Sequence, residues 1–229
     1  MSGESIATRP SAPRRNRRLL WALLGVIALA LIAVGGFSLF EARRDARASR
    51  SSLVFGGTSP SGTGSLVANP RPLTDFTLTD TNGQSFALGA LRGKPTLLFF
   101  GFTRCPDLCP TTLAEFRGAK RALGADADKV QVVFVSVDPE HDTNATIKDY
   151  LAAFDPSFIG LRGDDPTLGR IASDYDLTYR KVTLPSGGYT VDHTATSFLI
   201  DAQGQLRVVY PYGVPASALA RDARAFFAP

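Results

Sequence analysis

Cysteine and histidine are scarce: the 229 residues hold only two of each. Neither cysteine follows the one long apolar run, which excludes attachment of a lipid at its end. Excess charge is also lacking, since 25 lysines and arginines against 21 acidic residues leave a formal net charge of +4. Much of that surplus flanks a single apolar segment and does not argue for nucleic acid as a partner. No internal repeat is present. With 44% hydrophobic residues the chain has room for one full-sized domain and an appendage.

From Leu19 to Phe40 charge is missing altogether. At 1.5 Å per residue this run spans about 33 Å, enough for a hydrocarbon core of roughly 30 Å. A cleavable leader has a shorter apolar region, about 7–15 residues, with a small-residue site directly after it. Here Ala46-Arg47-Ala48 lies well past the run. Residues 19–40 therefore read as a single membrane anchor behind a basic tail, residues 1–18. Arg9, Arg14, Arg15, Arg17 and Arg18 precede the anchor, while Arg43, Arg44, Arg47 and Arg50 follow it. The margin of one basic residue places the N-terminus in the cytoplasm and the main domain outside, on the periplasmic side, where thiols can be oxidised. Residues 41–72 are expected to be a flexible linker, because the stretch from 49 onward is rich in Ser, Gly, Thr and Pro with little apolar surface. The globular domain is expected over 73–229.

Within it, Thr96-Leu-Leu-Phe-Phe100 is a continuous apolar run that reads as a strand buried on both faces. A helical pattern follows from Thr111 to Leu123. Between them lies Gly101-Phe-Thr-Arg-Cys-Pro-Asp-Leu-Cys-Pro110, which puts both cysteines where a central strand ends and a helix begins. Open α/β sheets place their chemistry at that edge. The helix N-terminus and Arg104 both favour a thiolate. Cys105 and Cys109 can close a disulfide if their Cα atoms come within about 7 Å. They can also hold one soft metal ion. A structural bridge or two inert buried thiols is the weaker reading, since a loop this short gains little entropy from a bridge.

Other elements follow from pattern. Hairpins are expected around Thr81-Asn-Gly83, Ser186-Gly-Gly188 and Asp201-Ala-Gln-Gly204. Val130 to Val137 reads as a second buried strand. Helices are expected over 143–154 capped by Asp142, over 165–175 with Asp165 at the cap and Pro166 at its first position, and over 216–227. A parallel βαβ core followed by antiparallel strands and a last helix predicts a thioredoxin-like α/β domain.

His141 lies in Asp138-Pro-Glu-His-Asp142, a charged run that reads as solvated. His193 lies between a hairpin and a buried strand, where a side chain can be held rigidly.

Gly101–Pro110, Ser136-Val-Asp-Pro-Glu140 and Asp192-His-Thr194, in that order, resemble the signature segments of the SCO/SenC copper-chaperone family. The resemblance covers about residues 73–228 together with the N-terminal anchor. It implies a thioredoxin-like fold, copper held by Cys105, Cys109 and His193, and delivery to the binuclear copper site of cytochrome c oxidase, with the oxidase's copper-binding subunit as partner. The chain is expected to be a monomer. His141 departs from the resemblance, which leads one to expect arginine there.

The chemistry of the residues agrees. Two thiolates and an imidazole suit Cu(I), with Cu(II) as a further state, and zinc in a closed structural site would want a fourth ligand. Asp107 and Asp192 are candidates for orienting His193, with solvated surface as the alternative. The rival function is enzymatic: a thiol–disulfide oxidoreductase in which Cys105 and Cys109 form a redox-active disulfide and keep a partner's cysteines reduced. Against it, thioredoxin-type enzymes use two spacer residues rather than three, and no proline precedes Thr196 in the strand facing the cysteines. The pattern of a thiol peroxidase is absent.

Overall fold

The computed structural model describes residues 53–70, 73 and 75–227, together with Trp21 and Leu24. By contacts the chain divides into Met1–Arg50 and Ser51–Pro229. The expected anchor lies outside the described residues except for Trp21 and Leu24, which are helical and exposed. Among the described residues no helix is long and apolar enough to cross a membrane.

Among the described residues of the second unit, a nine-stranded sheet runs from edge to edge through β1 (Phe55–Thr58), β2 (Ser65–Val67), β11 (Leu206–Tyr210), β10 (Ser197–Ile200), β5 (Thr96–Gly101), β6 (Gln131–Ser136), β7 (Ile159–Arg162), β3 (Thr77–Asp80) and β4 (Ser85–Ala87). Its centre is β5 (Thr96–Gly101), in which every residue is buried, as the unbroken apolar run requires. Parallel partners β6 (Gln131–Ser136) and β7 (Ile159–Arg162) follow on one side. Antiparallel β10 (Ser197–Ile200) and β11 (Leu206–Tyr210) lie on the other. The outer hairpin β3 (Thr77–Asp80) and β4 (Ser85–Ala87) closes the edge beyond β7. A mixed sheet with a parallel βαβ centre and an antiparallel flank is the α/β plan expected from the sequence.

Four helices accompany the sheet among the described residues: α1 (Leu108–Leu123), α2 (Asn144–Ala152), α3 (Asp165–Asp174) and α4 (Ala216–Ala225). α1 packs against α4 and α2 against β7. The α1–α4 approach is close enough that a Cβ at Gly118 would lie 2.7 Å from that of Ala216. Phe116, Leu113 and Leu123 of α1 are buried, as its spacing predicts.

Two caps fall one residue away from expectation. Thr143, not Asp142, caps α2 by accepting the N–H of Thr146, and Asp164, not Asp165, caps α3 by accepting that of Thr167. Asp142 is withdrawn from capping because its carboxylate is fully buried and engaged elsewhere.

The expected linker needs a larger correction. Within 53–70 the chain forms β1 (Phe55–Thr58) and β2 (Ser65–Val67), and β2 pairs with β11. Val67 and Ser59 are buried. The Oγ of Ser61 donates to the buried carboxylate of Asp222 (2.8 Å), and the hydroxyl of Tyr210 donates to the same oxygen (2.9 Å). A Ser/Gly-rich composition signals too little apolar surface to fold alone. It does not reveal that an open sheet edge and a buried carboxylate await the segment elsewhere.

The hairpin β8 (Tyr179–Thr183) and β9 (Tyr189–His193) stands apart as a two-stranded sheet. Gly187 and Gly188 in its turn have φ of 89° and 75°, a region open to glycine. Along β9 the alternate residues Tyr189, Val191 and His193 share one face. Val191 is buried, so that face looks inward.

Candidate metal centre

β5 ends at Gly101, and the chain turns through Phe102–Asp107 into α1. Cys105 lies in this turn and is half-buried; Cys109 is the second residue of α1 and has no exposure. The backbone N–H of Cys109, one of those left unpaired at a helix start, points at the Sγ of Cys105 (3.4 Å). The two sulfurs are unbridged. Room for the inner sulfur depends on Gly101, where a Cβ would lie 2.8 Å from the Sγ of Cys109.

His193, the last residue of β9, completes the group. Its Nε2 lies 3.6 Å from the Sγ of Cys109, and the three ligating atoms of Cys105, Cys109 and His193 lie within 4.8 Å of one another. Nδ1 of His193 lies 3.0 Å from the carbonyl oxygen of Thr194. A carbonyl only accepts, so Nδ1 carries the proton and the Nε2 lone pair is left toward the sulfurs. Phe99 and Phe102 meet the imidazole edge-on, with centroids 6.0 and 5.8 Å away, and fix its plane.

The two thiols are unequal. A hydrogen bond from the Cys109 side chain stabilises the Cys105 thiolate and, against the opposing effect of partial burial, holds that thiol at about 4. For Cys109 the same hydrogen bond and deep burial push ionisation far upward. One proton is thus shared by the pair, and the outer sulfur is the thiolate. A shallow cavity of about 160 Å³, lined by Phe102, Pro106, Leu108, Thr190 and Asp192 among others, opens over Cys105 and His193.

Among the described residues no fourth cysteine, histidine or carboxylate joins the group. Asp192 pairs instead with Arg180 (3.0 Å) and is exposed, while Asp107 is exposed at the start of α1. Neither orients His193; a backbone carbonyl does. Two soft sulfurs and one imidazole fit a soft metal ion such as Cu(I), and three donors beneath an open cavity leave such an ion approachable.

The charged run 138–142 is solvated only in its middle: Glu140 and His141 are exposed, as its composition suggests, but its two ends are not. Asp138 and Asp142 both have 0% exposure. The carboxylate of Asp142 accepts from the hydroxyl of Thr103 (2.6 Å), its backbone N–H (3.1 Å) and the hydroxyl of Ser136 (2.6 Å). It thereby ties the cysteine turn to the end of β6. Asp138 accepts from Arg104 (3.4 Å) and from the hydroxyl of Tyr189 (2.6 Å), with His141 at 3.1 Å. Burial opposes its ionisation, but the bonds from Tyr189, His141 and Arg104 outweigh that and keep the carboxyl below its ordinary range. His141 also meets Arg104 and lies outside the metal group. Sequence reasoning missed these supporting residues. Position just past a strand end, on the cysteine edge of the sheet, was the one signal that pointed to them.

Comparison with known proteins agrees with this geometry. The SCO1/SenC family model matches residues 68–228. ScoI of Bradyrhizobium japonicum, solved with copper bound, is 43% identical, with a TM-score of 0.63 over 68% of this chain and 99% of that one. Apo Sco1 of Thermus thermophilus is 37% identical, also at a TM-score of 0.63, over 76% and 98% of the two chains. An SCO2-like protein of Rickettsia felis is 36% identical over 133 residues, 57% of this chain and 65% of that protein's length. The fold of residues 53–227 is the thioredoxin-like fold of these solved relatives, and the chain belongs to the SCO1/SenC family.

Proposed function

We propose that the domain is a copper metallochaperone that binds one copper ion through Cys105, Cys109 and His193 and delivers it to the binuclear copper site of cytochrome c oxidase. The observation that carries this reading is the convergence of three soft donors within 4.8 Å at an accessible edge of the sheet. Kinship with a copper-bound ScoI supports it. Two thiolates hold Cu(I) firmly, and the open side admits an acceptor's own thiolates, so the ion passes from sulfur to sulfur without entering water. In this reading residues 19–40 anchor the chain with its N-terminus in the cytoplasm and the domain on the periplasmic side. Protease added outside spheroplasts should then degrade the domain; protection of the domain would reverse that topology.

A second reading rests on the unequal thiols. An accessible thiolate beside a buried thiol is the arrangement of a nucleophile and its resolving partner, so the same pair can reduce a disulfide on a client. One experiment separates the two. In a Cys105→Ala strain, oxidase assembly should fail and recover when copper in the medium is raised, because mass action offsets a lost delivery route. Recovery with a membrane-impermeant reductant, and not with copper, would instead assign the cysteines to thiol reduction.

A further inference from the structure

The imidazole and the sulfurs of the candidate centre come from separate pieces of the fold, and both pieces are fastened to the same short loop. On the cysteine side, Thr103 is held by Asp142 and Arg104 by Asp138. On the histidine side, the hairpin that ends in His193 has no backbone pairing to the main sheet among the described residues. Its inward face makes three attachments: Val191 in the core, His193 against Phe99 and Phe102, and Tyr189 at the far end. The Tyr189 hydroxyl donates to the buried carboxylate of Asp138 (2.6 Å), the shorter of its two carboxylate contacts, Glu140 being at 3.0 Å. Nδ1 of His141 lies 2.6 Å from the hydroxyl oxygen of Tyr189. The Tyr189 ring meets that of His141 at a tilt of 51° with centroids 4.7 Å apart, and Arg104 and Lys181 lie over it at 5.6 and 5.1 Å. A salt bridge between Lys181 and Glu140 joins the same two segments at 2.5 Å.

We propose that Tyr189 is a positioning residue of the copper site: by tying the hairpin to the Asp138–Asp142 loop, which also holds the cysteine turn, its hydroxyl sets how closely His193 is kept to the two sulfurs. Tyr189 and His193 are four residues apart on one strand, so about 13 Å of β9 carries the constraint from one to the other. The inference rests on the copper reading for its consequence. Cu(I) is satisfied by two thiolates, whereas Cu(II) depends on additional nitrogen or oxygen donors. An imidazole that leaves and returns therefore costs Cu(II) binding and spares Cu(I). Tyr189 in this way governs which copper state the domain retains, without touching the metal.

The test is Tyr189→Phe, which keeps the ring, its contact with His141 and its cations, and removes the hydroxyl alone. In the copper-free reduced protein, amide hydrogen exchange over residues 189–194 should quicken by about tenfold or more, while exchange in β5 and β6 stays as in the wild type. Cu(II) affinity should fall about 10–100-fold, the range found on losing a partner that orients a ligand. Cu(I) affinity should remain within about twofold. The potential of the bound ion should then rise by about 59 mV for each tenfold of that difference. Unchanged exchange in β9 overturns the proposal, as does a loss of Cu(II) affinity matched by an equal loss for Cu(I), which marks a general loosening of the fold. A wild-type domain that binds no copper would overturn the copper reading alone. The exchange comparison needs no metal and would still decide whether the hydroxyl holds the hairpin.

Discussion

The Sγ of Cys109 and Nε2 of His193 lie 3.6 Å apart although 84 residues separate them in the chain. The sheet brings them together: β10, which follows His193, runs antiparallel beside β5, which precedes the cysteine turn. Ser197 of β10 stands opposite Phe99 of β5, so the ends of the two segments meet at one edge. The contact therefore depends on strand pairing, and the imidazole arrives already oriented by the carbonyl of Thr194.

The inequality of the two thiols gives a first prediction. Cys105, with an ordinary value of 9.0 brought down to about 4, should be alkylated by iodoacetamide at a rate nearly flat from pH 6 to 9, whereas Cys109 stays protected. Cys109→Ala removes the first cause of the shift and should move the inflection of Cys105 upward. An unmoved inflection would contradict the shared proton.

Stability should follow the same sign. The folded pKa of Cys105 lies below its unfolded value, so its contribution is complete above about pH 9, shrinks as pH falls, and is gone below about pH 4. The upward shift of Cys109 opposes it only above its ordinary value of 9.0. Urea melts of the reduced domain should accordingly show stability rising with pH across that window, beyond whatever slope the bridged domain shows. Equal slopes for the two forms would count against it.

Much of this was legible in the sequence. The unbroken apolar run at Thr96–Phe100 announced a central strand, and two cysteines at its end announced chemistry. His193 could be preferred over His141 because a hairpin and a buried strand flank it. The supporting residues were not legible. Asp138-Pro-Glu-His-Asp142 has the composition of a solvated loop, and only tertiary packing decides that both its ends are buried beside Thr103, Arg104 and Tyr189. The structure within 53–70 was hidden for a related reason, because β11, the partner of β2, and Asp222, the partner of Ser61, lie more than a hundred residues downstream.

Asp222 tests that second case. Asp222→Ala leaves the Tyr210 hydroxyl and the groups of Ser61 without their acceptor, which should cost about 1–3 kcal/mol. Limited proteolysis should then cut within residues 53–70 before the rest of the domain. Equal resistance in the variant and the wild type would show that the carboxylate does not hold the segment.

Gly101→Ala tests the space around the inner sulfur. The new methyl would sit 2.8 Å from both the Sγ of Cys109 and the Phe99 ring. Relief requires moving one of them, at about 1–3 kcal/mol by analogy with other overpacked cores. Copper affinity should fall along with thermal stability. A variant with wild-type stability and affinity would mean that the turn relaxes freely, contrary to its anchoring by Asp142.

The central claim is that Cys105, Cys109 and His193 together bind copper, and X-ray absorption on a soluble domain, residues 51–229, loaded with Cu(I) tests it most directly. The reduced wild type should bind one copper per chain with two sulfurs and one imidazole nitrogen around it. The disulfide form should bind none, and His193→Ala should lose the nitrogen together with at least about tenfold in Cu(II) affinity, whereas His141→Ala should retain both. Copper that stays bound after full oxidation of the two cysteines, or a nitrogen signal that disappears with His141 instead of His193, would contradict the account.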